Sequence, residues 1–194
     1  MHKKSKGENK MKLLIASDIH GSAKCCGELM KRIEEEKPDK VVLLGDLLYH
    51  GPRNDLPGEY DTKRVAEMLN SLSPAPVCVR GNCDSEVDQM VLNFPMRASS
   101  GNILLENGVT VYLTHGHLLD SLLPVVSMEK GKVCVLYGHT HVPECTEDGN
   151  IVLMNPGSLS IPKLNSECSY MTYENGVFEW KELFSGQMYR RYEL

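Results

Sequence analysis

The stretch LLIASDIH, residues 13–20, joins an apolar run to an aspartate and a histidine that stand two positions apart. A short, continuous apolar run is typical of a buried parallel strand, and ligands gather beyond the carboxyl ends of such strands. We therefore expect Asp18 and His20 to lie at a strand tip.

The same pattern occurs four more times, in VVLLGD, VCVRGNCD, VTVYLTHGH and VCVLYGHTH. The potential ligands in these runs are Asp46, Asn82, His115, His117, His139 and His141. Because parallel strands present their carboxyl ends at one edge, the five runs predict a single rim of oxygen and imidazole groups.

Composition sets the class of protein. A chain of 194 residues with 41% apolar content fits one domain whose core needs no disulfide or structural metal. We assign that domain to residues 11–194, and we expect residues 1–10, MHKKSKGENK, to be a disordered leader or tag because they are polar and lack periodicity.

The cysteine content and the net charge limit the cellular compartment and the classes of binding partner that we expect. Seven cysteines without a regular framework indicate reduced thiols and a cytoplasmic protein. No apolar run approaches the roughly 20 residues of a membrane span. A net charge of -5 disfavours an extended nucleic-acid surface. The sequence does not determine the oligomeric state, and a homo-oligomer is one of the possible states.

Periodicity predicts an α/β fold. A helix over residues 22–37 connects the first strand to a strand at 40–44, and a helix over residues 62–72 precedes a third strand at 77–79, which gives a βαβαβ first half. The second half contains one helical interval, near residues 118–128. Its predicted strands are residues 96–99, 103–106, 109–114, 133–137, 151–154, 169–173 and 177–183.

Three dipeptides indicate tight hairpin turns, namely Asn107-Gly108, Asp148-Gly149 and Asn175-Gly176. The second half should therefore be antiparallel or mixed sheet. Two mixed sheets packed face to face, with helices outside, would bury both sets of strands.

The predicted rim has the chemistry of a divalent metal site. Imidazole suits zinc, iron and nickel, and carboxylate and amide oxygens suit manganese. Asp46 stands alone after its strand, so its carboxylate is the natural bridge between two cations about 3.5–4 Å apart. Such a pair clamps a phosphate and supplies a metal-activated hydroxide.

Five ordered blocks resemble the motif series of the calcineurin-like metallophosphoesterases: DIHG (18–21), GDLLYHG (45–51), GNCD (81–84), THGH (114–117) and GHTH (138–141). The segments GNCDSEVDQM, HGPRN and NPGS resemble the small YfcE-type phosphodiesterases in particular. The resemblance implies a four-layer αββα sandwich of two mixed sheets flanked by helices. It also implies two divalent ions, with manganese the usual metal and zinc, iron or nickel as alternatives.

The resemblance implies two ligand sets that share one residue. The first metal would be held by Asp18, His20, Asp46 and His141. The second would be held by Asp46, Asn82, His115 and His139. The same correspondence gives Asp46, Asn82 and His115 a catalytic role.

Each of the remaining candidate residues has two possible interpretations. His117 either contacts a phosphate oxygen or is a surface histidine. His50 and Arg53, with Asn54, either select the substrate or only stabilise their loop. Cys83 occupies a position where many relatives of this family have a histidine, so it is either a weak proton donor or an inert packing residue.

These observations predict hydrolysis of a small phosphodiester by metal-activated hydroxide. The alternatives within enzymes are a phosphomonoesterase, a nucleotidase or a protein phosphatase. An alternative of another class is a protein-binding scaffold, because the fold also resembles a retromer coat subunit.

Overall fold

The computed structural model describes residues 11–194, and the predicted leader lies outside the described residues. Eleven strands form two mixed sheets in this part of the chain. In chain order they are β1 (Lys12–Ala16), β2 (Lys40–Leu43), β3 (Val77–Cys78), β4 (Ser100–Leu104), β5 (Thr110–Thr114), β6 (Val133–Leu136), β7 (Glu144–Asp148), β8 (Ile151–Asn155), β9 (Ser169–Glu174), β10 (Val177–Glu182) and β11 (Met188–Glu193).

Each sheet has a parallel centre. The first sheet has the order β11-β10-β9-β1-β2-β3, in which β1, β2 and β3 are parallel. The second has the order β4-β5-β6-β8-β7, in which β5, β6 and β8 are parallel. The predicted ligands follow the carboxyl ends of β1, β2, β3, β5 and β6.

Three α-helices are described: α1 (Ala23–Glu36), α2 (Thr62–Asn70) and α3 (Leu119–Val126). They match the three predicted helical intervals to within three residues at either end. The Ser22 hydroxyl accepts from the Cys25 N–H at 3.3 Å and starts α1, and Asp61 caps α2 in the same way.

Alternating side chains divide the protein into layers. On β1, Leu14 belongs to an apolar cluster that includes residues of α1 and α2, whereas Leu13 and Ile15 belong to a cluster shared by the two sheets. On β6, Val133 and Val135 pack with Val126 of α3. Helices, sheet, sheet and helix therefore follow one another, which confirms the predicted four-layer sandwich.

The hairpin predictions are confirmed, and some strand predictions are wrong. The three Gly-containing turns connect antiparallel pairs β4–β5, β7–β8 and β9–β10. The segment 96–99 is not a strand, and its apolar residue Met96 is instead buried in the cluster under the helices. Strands β7 and β11 escaped prediction because these sheet-edge segments, ECTED and MYRRYE, are largely polar and exposed. Among residues 11–194, no helix has the length and apolar character of a membrane span.

Candidate metal centre

Loops at the carboxyl ends of both sheets are tied to one another by backbone hydrogen bonds. The Asp18 N–H donates to Gly45 O at 3.1 Å, which joins the loops after β1 and β2. The Gly138 N–H donates to His115 O at 2.7 Å, which joins the loops after β5 and β6. Between the sheets, the His139 N–H donates to Asp18 Oδ2 at 3.0 Å. The loop ends therefore form one continuous rim.

Five predicted ligands have left-handed backbone conformations. Their φ values are 57° for Asp18, 48° for His20, 54° for Asp46, 69° for His139 and 62° for His141. Aspartate and histidine tolerate this region better than most residues, but it still costs about 1–3 kcal/mol each in strained cases. A left-handed residue interrupts the extended backbone, so each of these residues marks the point where its strand has given way to a loop.

Three imidazoles have a fixed orientation, because each Nδ1 lies against a backbone carbonyl oxygen. The pairs are His20 with Tyr49 (2.8 Å), His115 with Leu44 (2.8 Å) and His141 with Ile161 (2.7 Å). A carbonyl can only accept, so Nδ1 carries the proton and donates it. In the neutral ring, Nε2 then presents a lone pair to the rim, as in histidines that bind metals.

Acceptor atoms face one another in the first group, which consists of Asp18, His20 and His141. The Nε2 atoms of His20 and His141 are 3.2 Å apart. With Nδ1 donating to a carbonyl, the neutral form of each ring has only a lone pair at this atom. Asp18 Oδ1 lies 3.3 Å from His141 Nε2, is buried and has no hydrogen-bond donor among the described residues. A cation would satisfy all three atoms, so these residues fit a metal ion.

A second group has the same character and includes Asp46 and His115. Asp46 Oδ2 is 3.3 Å from His115 Nε2 and 3.7 Å from His20 Nε2, so this oxygen lies between the two groups. Asn82 Oδ1 is 3.1 Å from His115 Nε2. The ring of His139 is farther out, with its centroid 5.2 Å from that of His115.

The negative charge at the rim changes the proton affinity of its imidazoles. Burial lowers the pKa of His115, but the Asp46 carboxylate and the charge of Asp18 outweigh burial and raise it to about 9. Burial likewise lowers the pKa of His20, and Asp18 more than reverses this effect. Burial raises the pKa of Asp18, but His141 and His20 lower it more, so this carboxylate is ionised. A rim that attracts protons also attracts divalent cations.

Asp84 organises the rim without facing it. Its buried carboxylate accepts from the backbone N–H groups of Asp46 at 2.8 Å, Leu47 at 2.8 Å and Gly81 at 2.7 Å. The loops after β2 and β3 are thereby joined. On the opposite side, the Ser158 hydroxyl of the NPGS segment donates to Asp18 O at 2.9 Å. Both residues position the loops that carry the ligands.

Glycine is required at two motif positions because neighbouring atoms leave no room for a Cβ atom. A Cβ at Gly81 would lie 2.1 Å from Asp46 Oδ1. A Cβ at Gly138 would lie 1.9 Å from Ser17 Oγ and 2.7 Å from Asp18 Oδ2. Any larger residue would displace the carboxylates, which explains glycine at these positions.

A cavity of about 600 Å³ opens beside the ligand groups. Arg53 and Asn54 line it, as do Tyr49 and Lys163, which the sequence analysis did not single out. Tyr49 lies within the block GDLLYHG, where only Asp46 and His50 were considered as site residues. Lys163 lies 22 residues beyond His141, so local sequence could not connect it to the site.

Three predicted residues have distinct positions around this cavity. His50 is not among its lining residues, since its ring packs between the rings of Tyr49 (4.7 Å) and Tyr60 (5.3 Å). His117 is exposed, with its ring centroid 5.5 Å from that of His115. Cys83 lines the cavity, and burial together with the negative charge of Asp46 raises the pKa of its thiol to about 12.

Residues 11–176 match the family model of the calcineurin-like phosphoesterase superfamily domain. The chain belongs to this superfamily. Its members are metallophosphoesterases, so divalent metal ions are implied, and the ligand groups described above are candidates for holding them.

Two curated proteins are similar over most of the chain. Phosphodiesterase YfcE of Escherichia coli (strain K12) is 45% identical over 168 residues, which cover 86% of this chain and 89% of the relative. Probable metallophosphoesterase YsnB of Bacillus subtilis (strain 168) is 31% identical over 175 residues, 85% of this chain and 86% of the relative. The predicted resemblance to the YfcE type is confirmed.

Solved structures support the fold. YfcE, described as a phosphoesterase from E. coli, superposes with a TM-score of 0.88 at 41% identity and covers 94% of this chain and 99% of its own. Vps29 from Entamoeba histolytica, complexed with Zn²⁺, superposes with a TM-score of 0.65 at 19% identity and covers 94% and 99%. The second similarity concerns the fold alone.

The contact at Gly138 predicts a specific loss of metal affinity. In Gly138→Ala the new methyl group would displace Asp18, and changes around metal ligands typically cost about 10–100-fold in affinity. Metal titration followed by calorimetry would measure this effect. Gly27→Ala in α1 is the control, because a Cβ there meets only Met68 Sδ at 4.0 Å. Equal metal affinity in both variants would show that Asp18 is not held as described.

Proposed function

We propose that the protein hydrolyses small phosphodiesters with the help of two divalent metal ions. The observation that carries this proposal is the convergence of buried acceptor atoms at the rim, which attracts positive charge. Asp18 Oδ1 is buried and has no hydrogen-bond donor among residues 11–194, and it lies beside His20 Nε2 and His141 Nε2, which are 3.2 Å apart. Such an arrangement is favourable only around positive charge. The relative YfcE carries the name phosphodiesterase, which supports the choice of reaction.

We assign the ions to two overlapping ligand sets. The first set comprises Asp18, His20, Asp46 and His141, and the second comprises Asp46, Asn82, His115 and His139. Asp46 belongs to both because its Oδ2 lies between His115 and His20. When bound, such a pair would polarise the phosphoryl oxygens and make water a nucleophile at neutral pH.

The mixed nitrogen and oxygen donors favour a transition metal. We propose manganese, with zinc, iron or nickel as alternatives, since imidazole suits all of these and carboxylate and amide oxygen suit manganese. Calcium is disfavoured because it prefers six to eight oxygen ligands.

Cationic and polar side chains around the cavity would bind the substrate. Arg53 and Lys163 face the cavity from two different loops and would attract a phosphate anion. Asn82 and His117 would contact phosphate oxygens beside the ligand groups. His50 would act through its neighbours, because it packs on Tyr49 and Tyr60 outside the cavity.

The proton for the departing oxygen lacks an obvious donor. Cys83 stands at the cavity and accepts a hydrogen bond from Asn82 Nδ2 at 3.3 Å. Burial and the negative charge of Asp46 raise the pKa of this thiol to about 12, which is a weaker match to neutral pH than the pKa of an imidazole near 6.5. We therefore propose that good leaving groups are cleaved with little help from a general acid.

We also propose a cytoplasmic location, because all seven cysteines are free thiols and such thiols persist in reducing compartments.

Metal dependence is the direct test. Chelation should abolish hydrolysis of bis-p-nitrophenyl phosphate, and manganese should restore it better than calcium, because none of the side chains at the rim can activate water alone at neutral pH. p-Nitrophenyl phosphate, assayed in parallel, should be the poorer substrate. Full activity of rigorously metal-free protein would overturn the proposal, and faster cleavage of the monoester would favour a phosphomonoesterase.

The shared ligand predicts a difference between two variants. Asp46→Asn removes a charge that serves both ions, so it should lose metal from both positions, whereas Asn82→Ala should lose chiefly the second ion. Elemental analysis of protein equilibrated with limiting manganese gives the stoichiometries. Two ions at normal occupancy in Asp46→Asn would refute the bridging assignment.

The thiol at Cys83 predicts a steep dependence on the leaving group. Missing general acid catalysis typically costs about 10²–10⁴-fold, and p-nitrophenolate tolerates this loss better than an alkoxide does. A plot of log rate against leaving-group pKa should be steep for the wild type and flatter for Cys83→His if the imidazole reaches the leaving oxygen. A wild-type slope near zero would assign the proton to another residue, such as His117, and leave Cys83 a packing role.

A further inference from the structure

A second cavity, of about 550 Å³, adjoins the candidate metal centre. Its apolar side chains include Leu48, Tyr49, Tyr60, Val87, Met90 and Val91, and we call it the apolar groove. Tyr49 and Cys83 line both cavities, so the groove and the metal-centre cavity meet at these two side chains.

The groove exposes apolar surface that water solvates poorly. Met90 is 83% exposed, Val87 63% and Val91 52%. These three residues belong to or directly follow the short 3₁₀ helix Glu86–Met90. Covering such a patch with an apolar group is favourable in proportion to the area removed from water.

The carboxylate of Asp88 at the groove already accepts hydrogen bonds. Asp88 lines it, but its Oδ2 accepts from the Ser85 N–H and its Oδ1 from the Ser85 hydroxyl, both at 2.8 Å. The carboxylate is therefore directed at the helix start and opposes an apolar occupant less than a free carboxylate would.

The aromatic wall of the groove is fixed relative to the metal centre. The carbonyl oxygen of Tyr49 accepts from His20 Nδ1 at 2.8 Å, so one residue both orients a candidate ligand and lines the groove. The His50 ring supports the side chains of Tyr49 and Tyr60 from behind, at centroid distances of 4.7 and 5.3 Å. An occupant of the groove would thus sit in a defined position beside the phosphate.

We infer that the apolar groove binds an apolar or aromatic ester group of the substrate. The substrate class is then a phosphodiester of at least one hydrophobic alcohol, with its phosphate at the metal centre. This inference rests on the proposed function for the position of the phosphate. Continuity through Tyr49 and Cys83 favours a substrate arm as occupant, and the volume lies in the usual range of small-molecule sites.

Binding of phosphonates tests the inference without turnover. Methylphosphonate and hexylphosphonate share the anionic head and differ only in the apolar arm. Calorimetric titration into manganese-loaded protein should give at least about tenfold tighter binding of hexylphosphonate, because two buried methylene groups already correspond to roughly that factor.

Two variants with similarly exposed methionines provide the comparison. Met90→Ser should bring the ratio of the two dissociation constants toward one and leave methylphosphonate binding unchanged. Met128→Ser is the matched control, because Met128 is 82% exposed and lies outside the groove. Both side chains are at the surface, so neither substitution should disturb folding.

The outcomes separate the two proposals. A ratio near one in the wild type, no binding of hexylphosphonate, or a ratio unchanged in Met90→Ser would overturn the inference, while metal-dependent hydrolysis would leave the proposed function standing. Loss of the proposed function would instead appear as metal-independent or absent hydrolysis, whatever the ratio. A ratio near one, combined with dissociation of a dimer in Met90→Ser by light scattering, would reassign the groove to a contact between two copies.

Discussion

Acceptor atoms face one another where the carboxyl ends of the two sheets meet, and this electrostatic constraint governs the surrounding structure. His20 Nε2 and His141 Nε2 are 3.2 Å apart, and Asp18 Oδ1 is buried beside them with no donor in the part of the chain that the structure describes. Uncompensated, such an arrangement costs several kcal/mol, because buried charges and lone pairs require partners. The loops, the caps and the glycines all serve to hold these atoms together.

The neighbouring chain compensates for the strain that this convergence imposes. Asp18 and Asp46 have positive φ values of 57° and 54°, which a relaxed loop would avoid. Asp84 offsets the strain at Asp46 by accepting three backbone N–H groups, and Ser158 fixes the carbonyl of Asp18. Charge-assisted hydrogen bonds are the stronger kind, so a single carboxylate can fix two loops. Hydrogen bonds within the protein therefore hold the loops of the rim together.

Sequence reasoning succeeded where one local pattern carried the information. Apolar runs located the buried strands, and Asn-Gly or Asp-Gly located the hairpins, because both signals depend on adjacent residues. Prediction failed for β7 and β11, because these strands lie at exposed sheet edges and their largely polar residues show no alternation of apolar and polar side chains. Lys163 and Tyr49 escaped notice for a related reason, since their place at the cavity depends on tertiary packing and not on neighbouring letters.

The burial of the candidate ligands helps to distinguish an enzyme from a protein-binding scaffold. Asp18, His20 and His115 are each 0% exposed, so a partner protein docking on the rim could not touch them. A docking surface would gain nothing from buried, mutually repelling acceptors, and apolar replacements of similar volume would be as stable or more stable. A small cation is different because it can enter the gap between these atoms, and a phosphate can then approach through the adjoining cavity. The arrangement of charge therefore favours ion-dependent catalysis over protein binding, although the same fold is found in Vps29.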